Sequence, residues 1–256
     1  MLTRAQINHI RQLSESHYRQ QSGLFVAEGL KTVRELLYSP IETVAVYATQ
    51  EHSGLPWLTR FGNLVHMVHE HEMQKLSKLQ TPPGILAVCR IPEHQPDAST
   101  LTNTLTIALD GISDPGNMGT IIRTAEWFGV EYVFCSLDSA DPWQPKVVQS
   151  AMGSLFRTKM IRTDLALLIR QAIEREILIY GAVMNGTSIW DAPLKCNGSL
   201  LIIGSESHGI RQALQGMIAK PLTIPRHSGS VTESLNAGIA AAVILSAFRR
   251  QNKIID

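Results

Sequence analysis

From residue 104 onward, short continuous apolar runs alternate with stretches whose apolar positions recur at helical spacing. "LTIALD", "VEYVFCS", "LFRTKMI", "ILIYGAV", "LLIIG" and "PLTIP" read as strands. Helices are predicted after residue 115, at "PKVVQSAMG", over 164–175, near 210–217 and from about 233 to 250. Strands that are apolar on both faces and alternate with helices predict a parallel sheet covered by helices on both sides.

The front of the chain is a smaller α/β pattern. Ile7, Ile10 and Leu13 sit at helical spacing, and "LFVAEG" is a strand running into a helix from Glu28 to about Tyr38. "ETVAVYA", "LVHMV" and "GILAVCR" read as further strands, the last after a "TPPG" turn. "IPEHQPDAST" (91–100) holds two prolines and reads as a linker. The expected division is a domain over 1–91, a linker over 92–102 and a second domain over 103–256. No internal repeat is visible.

The segment "SDPGNMGTIIRTAEWFG" (113–129) raises a chemical question. Ser113 to Gly116 form a turn, and a helix follows with Asn117 in the N-cap position. Ile121, Ile122, Ala125 and Phe128 make the core stripe, while Arg123 falls on the opposite side with Gly119 and Trp127. A cation so close to the positive end of a helix dipole is locally unfavourable, so another interaction is expected to hold it there.

Composition narrows the classes. Hydrophobic content of 44% is enough for a real core and argues against wholesale disorder. The net charge of +1 excludes binding of nucleic acid by bulk charge, so any such contact must come from a local patch. Cys89, Cys135 and Cys196 form no CxxC pair and read as small buried hydrophobes in a reducing, cytoplasmic setting. "MLTRAQINHIRQ" lacks the apolar stretch of a signal peptide, and no apolar run approaches a membrane span. The sequons at Asn185 and Asn197 read as turns. His66, His69 and His71 cluster in "HMVHEHE", which reads as a strand running into a turn rather than a metal site.

Three strand ends collect glycines, hydroxyls and amides: "DGISDPGNMG" (110–119), "IIGSESHG" (202–209) and "IPRHSGSVTESLNAG" (224–238). In parallel sheets ligands bind beyond the carboxyl ends of the strands, so the three segments describe one polar pocket. A P-loop, a GxGxxG after the first strand of this domain and a GxSxG elbow are all missing.

Taken in order, these segments resemble the three motifs of the SpoU/TrmH group of SPOUT methyltransferases. Asn117, Gly119, Ile121, Arg123, Ala125, Phe128 and Gly129 match the first motif, N-x-G-x-I-x-R-x-A-x-x-F-G. Gly204, Glu206 and Gly209 match the second, and Ile224, Pro225, Ser234, Leu235 and Asn236 the third. The similarity covers 105–250, and "YRQQSGLFVAEGLKTVRELL" with "TPPGILAV" resembles the RNA-binding N-terminal domain often joined to this fold. Two departures stand out. Arg226 replaces a commonly apolar residue, and "RHSGSVTE" is about two residues longer than usual before Ser-Leu-Asn, by comparison with the family pattern.

The resemblance implies an S-adenosylmethionine-dependent transfer of a methyl group to a ribose 2′-hydroxyl of rRNA or tRNA, without a metal. It also implies a C-terminal trefoil knot, an exception to the unknotted rule, and a homodimer with active sites at its interface. The alternative is a non-catalytic RNA-binding or ribosome-assembly factor on the same fold. In the enzymatic reading Arg123 clamps phosphate or ribose and stabilises developing negative charge, since a guanidinium is a poor base. Glu206 either fixes Arg123 or accepts the proton, and Asn117 orients the arginine or the ribose. Ser234 and Asn236 begin the last helix and grip ligand there. Gly204, Ile224, Pro225 and Leu235 are the expected cofactor-binding positions. Trp127 and the all-round apolar last helix are assigned to the subunit interface. In the front domain, Arg4, Arg11, Arg19, Lys31 and Arg34 form the expected basic patch, with Tyr18 for stacking and Glu15, Glu28 and Glu35 diluting it.

Overall fold

The computed structural model describes residues 2–95 and 101–251, so part of the expected linker, 96–100, lies outside the described residues. The chain falls into two compact units. The first runs to Glu93 and takes in Asp141–Arg157; the second holds His94–Ala140 and Thr158 onward.

In the first unit, α1 (Arg4–Gln12) and α2 (Ser16–Ser22) lead into β1 (Leu24–Glu28), α3 (Leu30–Glu35) with a 3-10 continuation to Tyr38, β2 (Thr43–Thr49), β3 (Val65–Val68), α4 (Glu70–Leu76) and β4 (Ile85–Arg90). The four strands form a mixed sheet in the order β1-β4-β2-β3, antiparallel except for β2 with β3. One face buries Ile10, Leu13, Val26, Tyr47, Met73, Leu76, Leu86 and Val88 together. The strand at His66 runs into a helix, not the expected turn. Glu72, at the third position of α4, accepts the His69 amide at 3.0 Å and so closes the helix start. His66 meanwhile stacks on Tyr47.

Asp141–Arg157 lies in a stretch that the sequence pattern assigns to the second domain, yet it packs with the first unit. It carries α6 (Pro145–Ala151). The Trp143 and Phe156 rings lie 4.7 and 6.1 Å from that of Phe25, between centroids. Arg19 is only 2% exposed and binds Asp141 through Nη2 at 2.5 Å and Nε at 3.0 Å. Its Nη1 donates to the Leu13 carbonyl at 2.8 Å. Burying a guanidinium is tolerable only with such pairing, and it removes Arg19 from the expected surface patch. "LFRTKMI" is accordingly not one strand: Ser154–Phe156 is a 3-10 turn, and only Lys159–Arg162 is extended.

The second unit is built from β5 (Leu105–Asp110), α5 (Pro115–Trp127), β6 (Tyr132–Cys135), β7 (Lys159–Arg162), α7 (Leu165–Glu174), β8 (Leu178–Ser188), β9 (Ser199–Gly204), α8 (Gln212–Gln215), β10 (Lys220–Thr223) and α9 (Ala237–Gln251). Its sheet has the order β10-β8-β9-β5-β6-β7, and every neighbouring pair is parallel, as the strand–helix alternation predicts. β5 and β9 are buried along nearly their whole length. Asn185 lies within β8 rather than in a turn. Among the described residues no helix is long and apolar enough to cross a membrane, and no group of three or more His, Cys, Asp or Glu side chains is placed to hold a metal.

Candidate active site

The strand order reverses direction at β5: the chain steps outward to β6 and β7, then crosses to β8 and returns through β9 to the other side of β5. Such a switch opens a crevice at the carboxyl ends of the two central strands. Asp110 and Gly204, the last residues of β5 and β9, are paired across it.

From β5 the chain turns into α5. The N-cap is Asp114, not Asn117: Asp114 Oδ1 accepts the Asn117 amide at 2.7 Å, and Pro115 occupies the first helical position. Proline suits that position because its missing N–H would have no partner there anyway. Asn117 is thereby freed from capping and lies in the first turn with its side chain available. The loop after β9 doubles back on itself, with Ser205 and Gly209 exchanging backbone hydrogen bonds at 2.9 and 3.1 Å. Gly209 has φ +64°, and a Cβ at Gly204 would overlap the Gly209 carbonyl and the Ile210 amide, so both glycines are required by this tight return.

Asn236 caps α9, its Oδ1 accepting the amides of Gly238 at 3.0 Å and Ile239 at 3.2 Å. The helix therefore begins at Ala237 rather than near 233, and Ser234 precedes it without a capping role. α9 lies close against α5 at this end: a Cβ on Gly238 would sit 2.8 Å from Thr120 Cγ2.

These three local decisions bring Asn117, Glu206 and Asn236 together. Glu206 Oε1 accepts Asn117 Nδ2 at 2.8 Å, Asn236 Nδ2 at 2.6 Å and the Ala237 amide at 3.1 Å. Asn236 Nδ2 also reaches Asn117 Oδ1 at 2.7 Å. One carboxylate oxygen thus takes three donors, while Oε2 has no hydrogen-bond partner among the described residues.

Arg123 is not part of this cluster. It is exposed on α5 and has no hydrogen bond or ion pair among the described residues, and Glu206 does not hold it. Ser234 is likewise exposed and unpaired among them. Of the expected cofactor positions, Gly204 closes β9, Ile224 is half-buried just beyond β10, Pro225 is exposed and Leu235 is 46% exposed. The amides of Val231 to Leu235 make no hydrogen bond among the described residues.

A further feature escaped the sequence patterns. Asp110 is 2% exposed, and Arg211 binds it twice, through its amide to Oδ2 at 2.8 Å and through Nε to Oδ1 at 2.5 Å. Arg211 Nη2 also meets both oxygens of Asp138, at 2.9 and 3.0 Å. The base of the Glu206 loop is thereby tied to the ends of β5 and β6. Hydrogen bonding from Ser136, reinforced by Arg211, holds the Asp138 carboxyl below the usual carboxylate range, and Asp138 in turn raises the Arg211 guanidinium. The available signal was an acid ending an apolar strand and a basic residue two positions after Gly209.

Comparison with known proteins identifies the family of the chain. Residues 104–246 match the model of the SpoU rRNA methylase family, and residues 4–87 match that of an MRM3-like substrate binding domain. The chain is 30% identical over 232 residues to a 23S rRNA (guanosine(2553)-2′-O)-methyltransferase, RlmP, of Bacillus subtilis, covering 90% of each. It superposes with a TM-score of 0.88 on a TrmH-family protein from Porphyromonas gingivalis, at 35% identity, covering 98% of this chain and 99% of that one. The corresponding values for an AdoMet-bound rRNA methyltransferase from Sinorhizobium meliloti are a TM-score of 0.84 and 25% identity, with 98% and 96% of the chains covered. The chain belongs to the SpoU rRNA methylase family.

Proposed function

We propose that this protein is an S-adenosylmethionine-dependent RNA methyltransferase acting on a ribose 2′-hydroxyl of rRNA or tRNA. The observation that carries the reading is the Asn117–Glu206–Asn236 cluster at the ends of β5, β9 and the start of α9. When bound, S-adenosylmethionine supplies a methyl group already activated on a sulfonium. The protein's remaining tasks are alignment and handling of the hydroxyl proton.

Ile224 and Leu235 would flank the adenine, while Gly204, Pro225 and the unbonded amides before Asn236 would meet the base edge and the sugar. Asn117 and Asn236 anchor Glu206 through Oε1, which leaves Oε2 to accept the 2′-hydroxyl proton. This assigns Glu206 the proton-accepting role rather than that of a tether for Arg123. Arg123, exposed and unpaired among the described residues, would grip an RNA phosphate and stabilise the developing alkoxide. Ser234, two residues before the α9 cap, would contact ribose or cofactor. Nothing in this scheme requires a metal.

The finer architecture belongs to the same proposal. A front RNA-binding domain over 1–91, a linker and a catalytic domain over 103–256 would share the work in the cytoplasm. A C-terminal trefoil knot would form the cofactor loops. A homodimer would cover Trp127, which is 83% exposed one turn from Arg123, and Ile239 on α9. The test is transfer of labelled methyl from S-adenosylmethionine to total unmodified ribosomal and transfer RNA. Label in RNA is expected; cofactor binding without any transfer would leave the assembly-factor alternative.

A further inference from the structure

The expected basic patch of the first unit is realised in part: Arg4, Arg11, Lys31 and Arg34 are exposed, whereas Arg19 and Tyr18 are engaged within the unit. Arg19 is buried with Asp141, and Tyr18 is half-buried with its hydroxyl 2.6 Å from His9 Nδ1. Two exposed residues outside that expectation, Tyr38 and Arg60, join Lys31 and Arg34 at the surface. Lys31, Arg34 and Tyr38 follow one another at i, i+3 and i+7 along α3 and its 3-10 continuation, and all three are exposed. Such spacing puts them on one face. Tyr38 is 62% exposed, and the Arg60 guanidinium carbon lies 5.9 Å from its ring centre. That is within reach of a cation–π contact.

The acids that the sequence places nearby do not neutralise this face. Glu15 is drawn to Lys78 at 2.9 Å, Glu28 accepts Ser77 Oγ at 2.5 Å, and Glu35 is taken by Arg157 at 2.8 Å. Lys31, Arg34 and Arg60 have no ion-pair partner among the described residues. Three uncompensated cations around an exposed ring suit a polyanion that also carries flat bases.

We propose that Lys31, Arg34, Tyr38 and Arg60 form an RNA-docking face, on which an unpaired nucleobase stacks on Tyr38 and the flanking phosphates pair with the three cations. With Arg60 near the ring and Tyr38 largely exposed, the base would stack on the ring face away from Arg60. The proposal rests on RNA being the substrate, but it concerns a surface separate from the Glu206 cluster and can fail alone.

The test uses the full chain and a fluorescein-labelled, unmodified RNA hairpin with an unpaired loop, read by anisotropy over a range of salt. Tyr38→Ala is expected to weaken binding about tenfold or more, and Tyr38→Phe by no more than about twofold, since stacking needs the ring and not the hydroxyl. Lys31→Ala/Arg34→Ala is expected to reduce the slope of log K against log salt by about 1–2. Arg170→Ala/Arg175→Ala, on α7 and at its C-terminal cap, removes the same charge and is expected to leave the slope nearly unchanged. Thermal melting checks that each variant is folded. Wild-type affinity and slope in the Tyr38 and Lys31/Arg34 variants, or an equal loss in the α7 control, would overturn the docking face while leaving the methyltransferase reading standing. Absence of RNA binding by the wild-type protein would overturn both.

Discussion

Asn236 donates its Nδ2 to Glu206 Oε1 at 2.6 Å while its own Oδ1 caps α9. A single amide thus fixes both the start of a helix and the orientation of a carboxylate. Replacing Asn236 by Ala removes a cap worth about 1 kcal/mol and frees the carboxylate to rotate. The expected result is a melting temperature lowered by a few degrees together with a much larger loss of kcat. Asn236→Ser restores the cap without the amide donor, so stability should recover while kcat does not.

Glu206→Gln keeps the shape of the side chain and removes its charge. If Oε2 accepts the hydroxyl proton, kcat should fall by about 10²–10⁴, the range for losing a general base. Affinity for S-adenosylmethionine, measured by calorimetry, should change little. A parallel loss of cofactor affinity would place Glu206 on the cofactor side of the site.

Arg123 makes no hydrogen bond or ion pair among the described residues that its removal would break. Arg123→Ala should therefore melt like the wild type and bind cofactor normally, yet transfer no methyl. A strong loss of cofactor binding would contradict its assignment to the RNA.

The Arg211 clamp gives a pH prediction with a definite sign. The Asp138 carboxyl is lowered in the folded state by Ser136 and Arg211, so its contribution to stability is present above the ordinary carboxylate value and is lost as pH falls through the lowered one. Asp138→Asn should be less stable than wild type at neutral pH, and the gap should close in the acid range. Arg211→Ala, which keeps the amide bond to Asp110 Oδ2 but removes the guanidinium paired with Oδ1, should cost more than Asp138→Asn, on the order of 1–3 kcal/mol for a buried charged acceptor losing its partner. Denaturant titrations at several pH values measure both.

Much of the second unit was legible because a doubly covered parallel strand leaves an unmistakable apolar run, and the order of helices followed from it. The residues of the cluster were legible as types at strand ends. Their pairing was not: Glu206 had Arg123 as its expected tether, yet it is held by two amides, 89 and 30 positions away. Caps were misassigned where two candidates competed. Asp114 displaces Asn117 because Pro115 fixes the first helical turn, and Asn236 displaces Ser234 because its Oδ1 takes the amides of Gly238 and Ile239. The placement of Asp141–Arg157 with the first unit was invisible, since helical spacing says which face is apolar but not which sheet it covers. Arg19 shows the same limit, reading as a surface cation until Asp141 is seen to bury it.

The central claim is that the Glu206 cluster serves transfer to a ribose oxygen. The most direct measurement is nuclease digestion of RNA labelled by the purified protein, with mass spectrometry of the resulting nucleosides. The account predicts that the added methyl is found on the ribose 2′-oxygen and that Glu206→Gln nearly eliminates it. A methyl on the base, or none despite bound S-adenosylmethionine, would contradict it.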